Sequence, residues 1–444
     1  MKRKVLVLAV GAALAPLANA QVVEERREVR AQQSAQIISK AGSEWEFYGK
    51  LYPELAHVSG TGATSTPSSV SSFNPAPPAT SVSGLNSNHR SEMLVSNSHI
   101  GFRGSKDIGS GTKAIWQIEQ TVPLDEGGDA AGAGTLATRD TFMGAAGEFG
   151  TFRVGFMDTP FKRYGDVLGF LGVSSGNFVQ TNPVLRQVGF GQGANGPNRA
   201  SRFHERRGNA LDFVSPTYFG GAELAVQYST GNPSETSHTA TPTPRDPRFI
   251  SMAVKYERGP MYFALMHETH YDMFGGSTNS IAAAQSNVND AGVHSTDRAN
   301  QATVMYRAGS HTIEADYILK SYNENPSGSV AANPTGRFQS YSNKAWMVAW
   351  EGRWSSTWRT AATYVSADAG NCSLFNVNTC TTAGLEGTQI SLGGSYYIDR
   401  NFYLFLIGSK ITNGKSARYD NVSNGSPAAG EDVTQYALGM AYTF

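Results

Sequence analysis

The chain has 444 residues, 36 basic and 36 acidic side chains, 48 glycines, 22 Phe, 19 Tyr, 6 Trp and only 2 Cys. Balanced charge leaves no electrostatic footprint for nucleic acid, and two cysteines exclude a disulfide scaffold. Beyond residue 20 no run approaches the roughly 18 to 20 apolar residues that a membrane-spanning helix needs, so the remaining class is a large, turn-rich, all-β unit.

Residues 1–20 read as a secretory signal, with Lys2, Arg3 and Lys4 ahead of an apolar run from Val5 to Leu17 and the small-residue cleavage site Ala18-Asn19-Ala20. Cleavage before Gln21 removes three of the 36 basic residues and none of the 36 acidic ones, which leaves about three net negative charges. Residues 21–43 form an N-terminal periplasmic extension. Glu24, Glu25, Arg26, Arg27, Glu28 and Arg30 with little Gly or Pro suit a charged helix, but Val22 and Val29 alone are too few for a coiled coil. A solvated tail is the simpler reading.

From residue 44 onward large apolar side chains recur at every second position, the period of a strand with one greasy face. This alternation predicts sixteen strands near 44–57, 91–104, 111–124, 136–147, 150–159, 207–217, 221–230, 248–258, 260–271, 298–308, 310–322, 340–353, 356–367, 385–398, 402–412 and 432–444. The last is the clearest, with Tyr436, Leu438, Met440, Tyr442 and Phe444 in strict alternation. Connections alternate between short turns, such as Gly147 to Gly150 and Ile398 to Asn401, and long loops rich in Ser, Thr, Gly, Asn and Pro. Short turns at one end, long loops at the other and an even strand number describe a transmembrane antiparallel β-barrel over residues 44–444, with a bore wide enough for water. Cys372 and Cys380, in one of the long loops of a secreted chain, are expected to form a disulfide; metal binding by two isolated cysteines is the weaker alternative.

Five ordered segments carry a family resemblance: Ser98 to Glu119 (SHIGFRGSKDIGSGTKAIWQIE), Arg139 to Gly144 (RDTFMG), Gly147 to Gly155 (GEFGTFRVG), Asn209 to Pro216 (NALDFVSP), and the terminal strand ending in Phe444. Together they resemble the general diffusion porins of Gram-negative bacteria, especially the β-proteobacterial type. The resemblance implies an outer-membrane homotrimer of water-filled channels for small hydrophilic solutes, surrounded by outer-membrane lipid and lipopolysaccharide. It further implies that the third external loop, here Thr159 to Arg206, folds inward, and that Phe444 serves as an address for the outer-membrane assembly machinery. No cofactor is implied.

Parity then nominates the pore lining. If Ile100 and Phe102 face lipid, His99 and Arg103 face water, and the same reasoning places Lys113, Glu119, Arg139 and Arg153 inside. Asp158 and Asp166, near the start of the inward loop, are candidates for its acidic side. Arg139 sits where relatives carry a constriction arginine. His99 and Asp212 stand where several relatives have arginine, so the anion preference frequent in the family does not carry over automatically. An enzyme is disfavoured: His267-Glu268-Thr269-His270 lacks the HExxH spacing, and histidines three apart on a strand point to opposite faces. A substrate-selective channel or a surface adhesin on the same barrel remain the alternatives.

Overall fold

A computed structural model describes residues 37–38, 43–64, 89–94, 98–124, 136–165, 183–190, 203–230, 246–272, 293–326, 338–378, 380–420 and 427–444. The proposed signal, most of the proposed extension and Asp166 lie outside these residues. The strands are β1 (Ile37–Ile38), β2 (Glu44–Leu51), β3 (Glu54–Thr61), β4 (His89–Leu94), β5 (His99–Gly109), β6 (Thr112–Thr121), β7 (Thr141–Gly147), β8 (Gly150–Asp158), β9 (Arg206–Val214) and β10 (Ala222–Ser229). They continue with β11 (Arg248–Arg258), β12 (Met261–Tyr271), β13 (Val293–Ala308), β14 (His311–Pro326), β15 (Phe338–Arg353), β16 (Trp358–Ala367), β17 (Asn371–Leu374), β18 (Gly387–Tyr397), β19 (Phe402–Asn413) and β20 (Asp432–Thr443). Two short helices, α1 (Pro160–Gly165) and α2 (Pro183–Arg186), belong to the third long loop.

These strands make sixteen antiparallel wall spans, because β2 with β3 and β4 with β5 are each one interrupted span, while β1 and β17 are short additions. The first interruption falls at Tyr52-Pro53, where proline offers no N–H to the ladder; its carbonyl still accepts from Met440 N at 3.1 Å. The sheet closes on itself: β20 pairs with β19 on one side and with β3 and the end of β2 on the other. Closure leaves no edge to be solvated by hydrocarbon, where each unpaired backbone group would cost several kcal/mol.

Several limits differ from the sequence expectation. The fourth span begins only at Thr141, after Ala137 takes a positive φ of 66°. In contrast β13, β14 and β15 run for 16 residues each, well past the roughly 9 to 11 that cross a bilayer, so their outer ends stand clear of the membrane.

Alternation appears directly in exposure. Along β20, Tyr436, Leu438, Met440 and Tyr442 are 43–57% exposed, while Gln435, Ala437 and Ala441 are at most 1% exposed. Exposed Leu404, Leu406, Phe263, Leu265, Trp346 and Val348 extend this greasy outer band around the wall. Covering each such side chain with lipid rather than water is worth about 1.5–3 kcal/mol. Inward-facing positions are small, polar or packed against loops.

The seam shows why one glycine is placed where it is. Phe444 exchanges backbone hydrogen bonds with Gly49 at 2.9 and 3.0 Å, and its ring lies 5.5 Å from that of Phe47. A Cβ on Gly49 would come within 2.6 Å of the Phe444 ring and 2.9 Å of the His99 carbonyl. Gly49→Val is therefore expected to destabilise the closed barrel by about 1–3 kcal/mol through overpacking. Heat-dependent mobility of the folded barrel on denaturing gels should show a lower transition temperature; an unchanged one would mean that the seam has room to spare.

Candidate functional site

The inward face of the wall carries two unlike regions. Against β10–β16, the described ends of the third long loop pack as an apolar cluster in which Phe161, Val184, Leu185, Phe190 and Phe203 meet Phe249, Tyr322 and Tyr341. Buried polar groups of the wall hold its backbone. The Ser251 hydroxyl accepts from Phe161 N at 3.0 Å, Tyr262 Oη donates to Tyr164 O at 2.8 Å, and Gln301 Nε2 donates to Gly165 O at 3.0 Å. Further on, Lys320 Nζ donates to the carbonyls of Leu185, at 2.7 Å, and Gln187. Arg418 N, from the last long loop, donates to Gly189 O at 2.7 Å. His204 closes the far end by pairing with Gln301 Oε1 at 2.8 Å; burial, with the nearby Arg186 charge, lowers its pKa to about 4.

Along β2–β11 the inward side chains form instead a belt of ion pairs. Arg103 pairs with Glu46 and lies over the Tyr48 ring, 4.8 Å from its centroid. Arg139 pairs with Glu119, which also accepts from Tyr48 Oη at 2.9 Å. Tyr48, Gly101 and Glu119 occupy one cross-strand row, and the missing side chain at Gly101 is what lets the tyrosine reach across: a Cβ there would lie 2.4–2.5 Å from the Tyr48 phenol. Arg206 bridges Asp140 and, at 3.1 Å, Asp158, and Lys162 joins Asp158 at 2.9 Å. Asp212 receives Arg153 from β8 and Arg163 from α1. At the end of the belt Lys255 lies 3.4 Å from Glu223, which also accepts from Tyr164. Burial, and the bond to that carboxylate, push the Tyr164 phenol well above its ordinary range.

Of the residues nominated from sequence, Arg103, Glu119, Arg139, Arg153 and Asp158 come together in this belt. Asp158 is the last residue of β8, beyond a register shift between Gly155 and Met157 in which β9 carries the extra residue beside Asn209 at a positive φ of 49°; at that strand end its carboxylate meets Arg206 and Lys162. Lys113 stands apart: it is exposed near the short turn, opposite Asp107 and Ala146, and among the described residues no ion pair joins it to the belt. Four strand residues, about 13 Å, separate it from the row of Arg103.

Sequence reading missed Asp140, Lys162, Arg163 and Arg206, which lie on span ends or loop segments where parity gives no direction. Arg163 and Arg206 differ little in sequence context from many surface arginines, and only the fold brings them inward. His267 and His270 do point to opposite faces: His270 is buried beside Glu268 at 2.8 Å, whereas His267 bonds Asn300 at 2.9 Å. Cys372 and Cys380 are bonded as a disulfide that closes an eight-residue step at the tip of β17.

A family model for Gram-negative porins matches residues 6–444. Major outer membrane protein P.IB of Neisseria gonorrhoeae is 28% identical over 253 residues, which are 51% of this chain and 68% of that protein. P.IA of a Neisseria meningitidis serogroup B strain is 45% identical over 76 residues, 17% of this chain and 18% of that protein. Among solved structures, the anion-selective porin from Comamonas acidovorans superposes with a TM-score of 0.60 at 17% identity, covering 90% of this chain and 100% of that one. OmpT of Vibrio cholerae follows at 0.57 and 14% identity, covering 92% and 100%. The closed sixteen-span wall, its greasy exterior and the family match over nearly the whole sequence lead to one conclusion: the chain belongs to the Gram-negative porins and is an outer-membrane channel for passive diffusion of small hydrophilic solutes.

Proposed function

We propose that the third external loop narrows the channel and directs solutes past the ion-paired belt, so that this protein is a general diffusion porin of weak charge selectivity. The observation that carries the reading is the anchoring of the loop backbone by inward-facing wall residues, above all Lys320 and Gln301. With one side of the bore filled by the loop, water and solute are left the side lined by charge. There the ion pairs named above join seven basic and six acidic side chains, an excess of one positive charge among these residues. Charges of both signs side by side along a water-filled passage orient dipolar solutes, while their near-balance leaves little net preference for either ion sign. A substrate-selective channel would need a binding arrangement beyond this balanced belt.

The same reading takes the functional unit to be a homotrimer; one structural neighbour, OmpT of Vibrio cholerae, was solved in a trimer form. It takes Phe444 as the assembly address, outer-membrane lipid and lipopolysaccharide as the surroundings of the greasy band, and residues 1–20 as a removable signal ahead of a periplasmic extension. The reading is of a channel rather than an enzyme.

Two measurements test the reading. Arg139→Glu replaces a positive by a negative charge beside the passage, a change of two charge units, and at about 6 Å in water each unit is worth roughly 0.7 kcal/mol, or about threefold in local ion concentration. The reversal potential of single channels in a salt gradient should move toward cation preference; no movement would remove Arg139 from the conducting path.

The second concerns pH. Burial holds His204 neutral, with a pKa near 4 against an ordinary 6.5, so its contribution to loop docking is present above pH 6.5 and is lost as pH falls through about 4. Current noise should rise over that interval in the wild type and lose this component in His204→Gln. Noise that is the same in both proteins would mean that the loop is not held by this residue.

A further inference from the structure

Asp212 differs from every other acid of the belt in being completely hidden. Its side chain is 0% exposed, whereas those of Glu46, Glu119, Asp140, Asp158 and Glu223 are 11–24% exposed. It is also the acid on which two guanidiniums converge from separate elements. From β8, Arg153 Nη2 and Nε donate to Oδ2 at 2.6 and 3.0 Å; from α1, Arg163 Nη2 donates to Oδ1, where Gln227 Nε2 also approaches at 3.4 Å. The arginines are 16% and 19% exposed, so they form the face that a passing solute meets, with the carboxylate behind them. Arg153 is further fixed over the Phe142 ring at 5.2 Å.

From this we infer that Asp212 is a concealed counter-charge that sets the charge selectivity of the channel without touching the solute. The inference rests on the reading that the belt lines the conducting path. The physical argument concerns where field and contact separate. A solute beside the two guanidiniums makes its short-range contacts with them alone, yet the carboxylate, one hydrogen bond further away, cancels one of their two charges. Among the ion-paired residues named above the excess is a single positive charge, so removal of this one acid doubles it. An exposed acid could not be removed so cleanly, because solutes also touch it and its loss changes the shape of the passage. Asp212 can lose its charge while its volume and its hydrogen bond with Gln227 persist.

The arrangement also makes Asp212 a positioning residue for the loop. Arg163 is carried by α1, whose backbone is held by Ser251 and Gln301, and the pair with Asp212 fixes the direction in which its guanidinium points. A merely structural role would show as altered conductance or noise in every variant. A counter-charge role shows in the sign of selectivity.

The test is a permeability-ratio series on purified wild-type and variant channels in planar bilayers, in a potassium chloride gradient centred near 0.1 M so that screening does not hide the effect. Asp212→Asn is expected to raise the chloride-to-potassium ratio about threefold or more at nearly unchanged conductance. Asp212→Glu is expected to restore the wild-type ratio, and the double variant Arg153→Gln/Arg163→Gln to lower it below wild type. Should Asp212→Asn not fold, the double variant still decides, since it predicts the opposite sign from the same local charge. Wild-type-like ratios in Asp212→Asn or in the double variant, with conductance intact, overturn the counter-charge role and leave the porin reading standing. A ratio that does not respond to Arg139→Glu either would instead take the whole belt out of the conducting path.

Discussion

A lipid bilayer offers backbone amides and carbonyls no partner, and this constraint decides most of what the molecule looks like. Every wall strand must pair on both sides, so the sheet must close. A closed cylinder gives each strand an outside and an inside, and because successive side chains point to opposite faces, sequence must alternate wherever hydrocarbon touches the wall. The seam between the first and last spans is where the constraint is most severe. There Phe444 and Gly49 exchange both of their hydrogen bonds, and glycine makes room for the terminal ring.

Because alternation follows so directly from that constraint, the wall was legible in the sequence. The terminal strand is the plainest case: Tyr436, Leu438, Met440 and Tyr442 announce an outward face, and Ala437 and Ala441 between them are buried. Limits were less legible where a local event interrupts the ladder. Pro53 splits one span into two, and Ala137 at positive φ delays another until Thr141. These depend on backbone geometry that hydrophobic period does not encode.

The inside of the barrel was only partly legible, for a different reason. Parity says that a residue points inward; it does not say whether it meets water, another strand's charge or a loop. Arg139 and Lys113 were indistinguishable on that criterion, yet one is locked to Glu119 and the other stands exposed near a turn. Asp158 meets Arg206 and Lys162 at the very end of β8, where alternation counted from Arg153 no longer gives its direction. Arg163 and Lys162 come from a helix of six residues in a long loop, and no strand periodicity extends there.

What separates the two halves of the interior is the chemistry of the inward rows. On β11–β15 they carry aromatic side chains, Phe249, Tyr262, Tyr322 and Tyr341, together with buried polar groups such as Ser251, Gln301 and Lys320 and buried carboxylates such as Glu268, Asp297 and Glu314. Such a surface can bury a loop, since rings cover its apolar side chains while the polar groups satisfy its carbonyls, which would otherwise be costly to remove from water. On β2–β9 the inward rows carry arginine and carboxylate with few rings, and these charges pair with one another. The described ends of the loop settle on the ring-bearing rows because rings there cover their apolar side chains while Tyr262, Gln301 and Lys320 donate to their carbonyls.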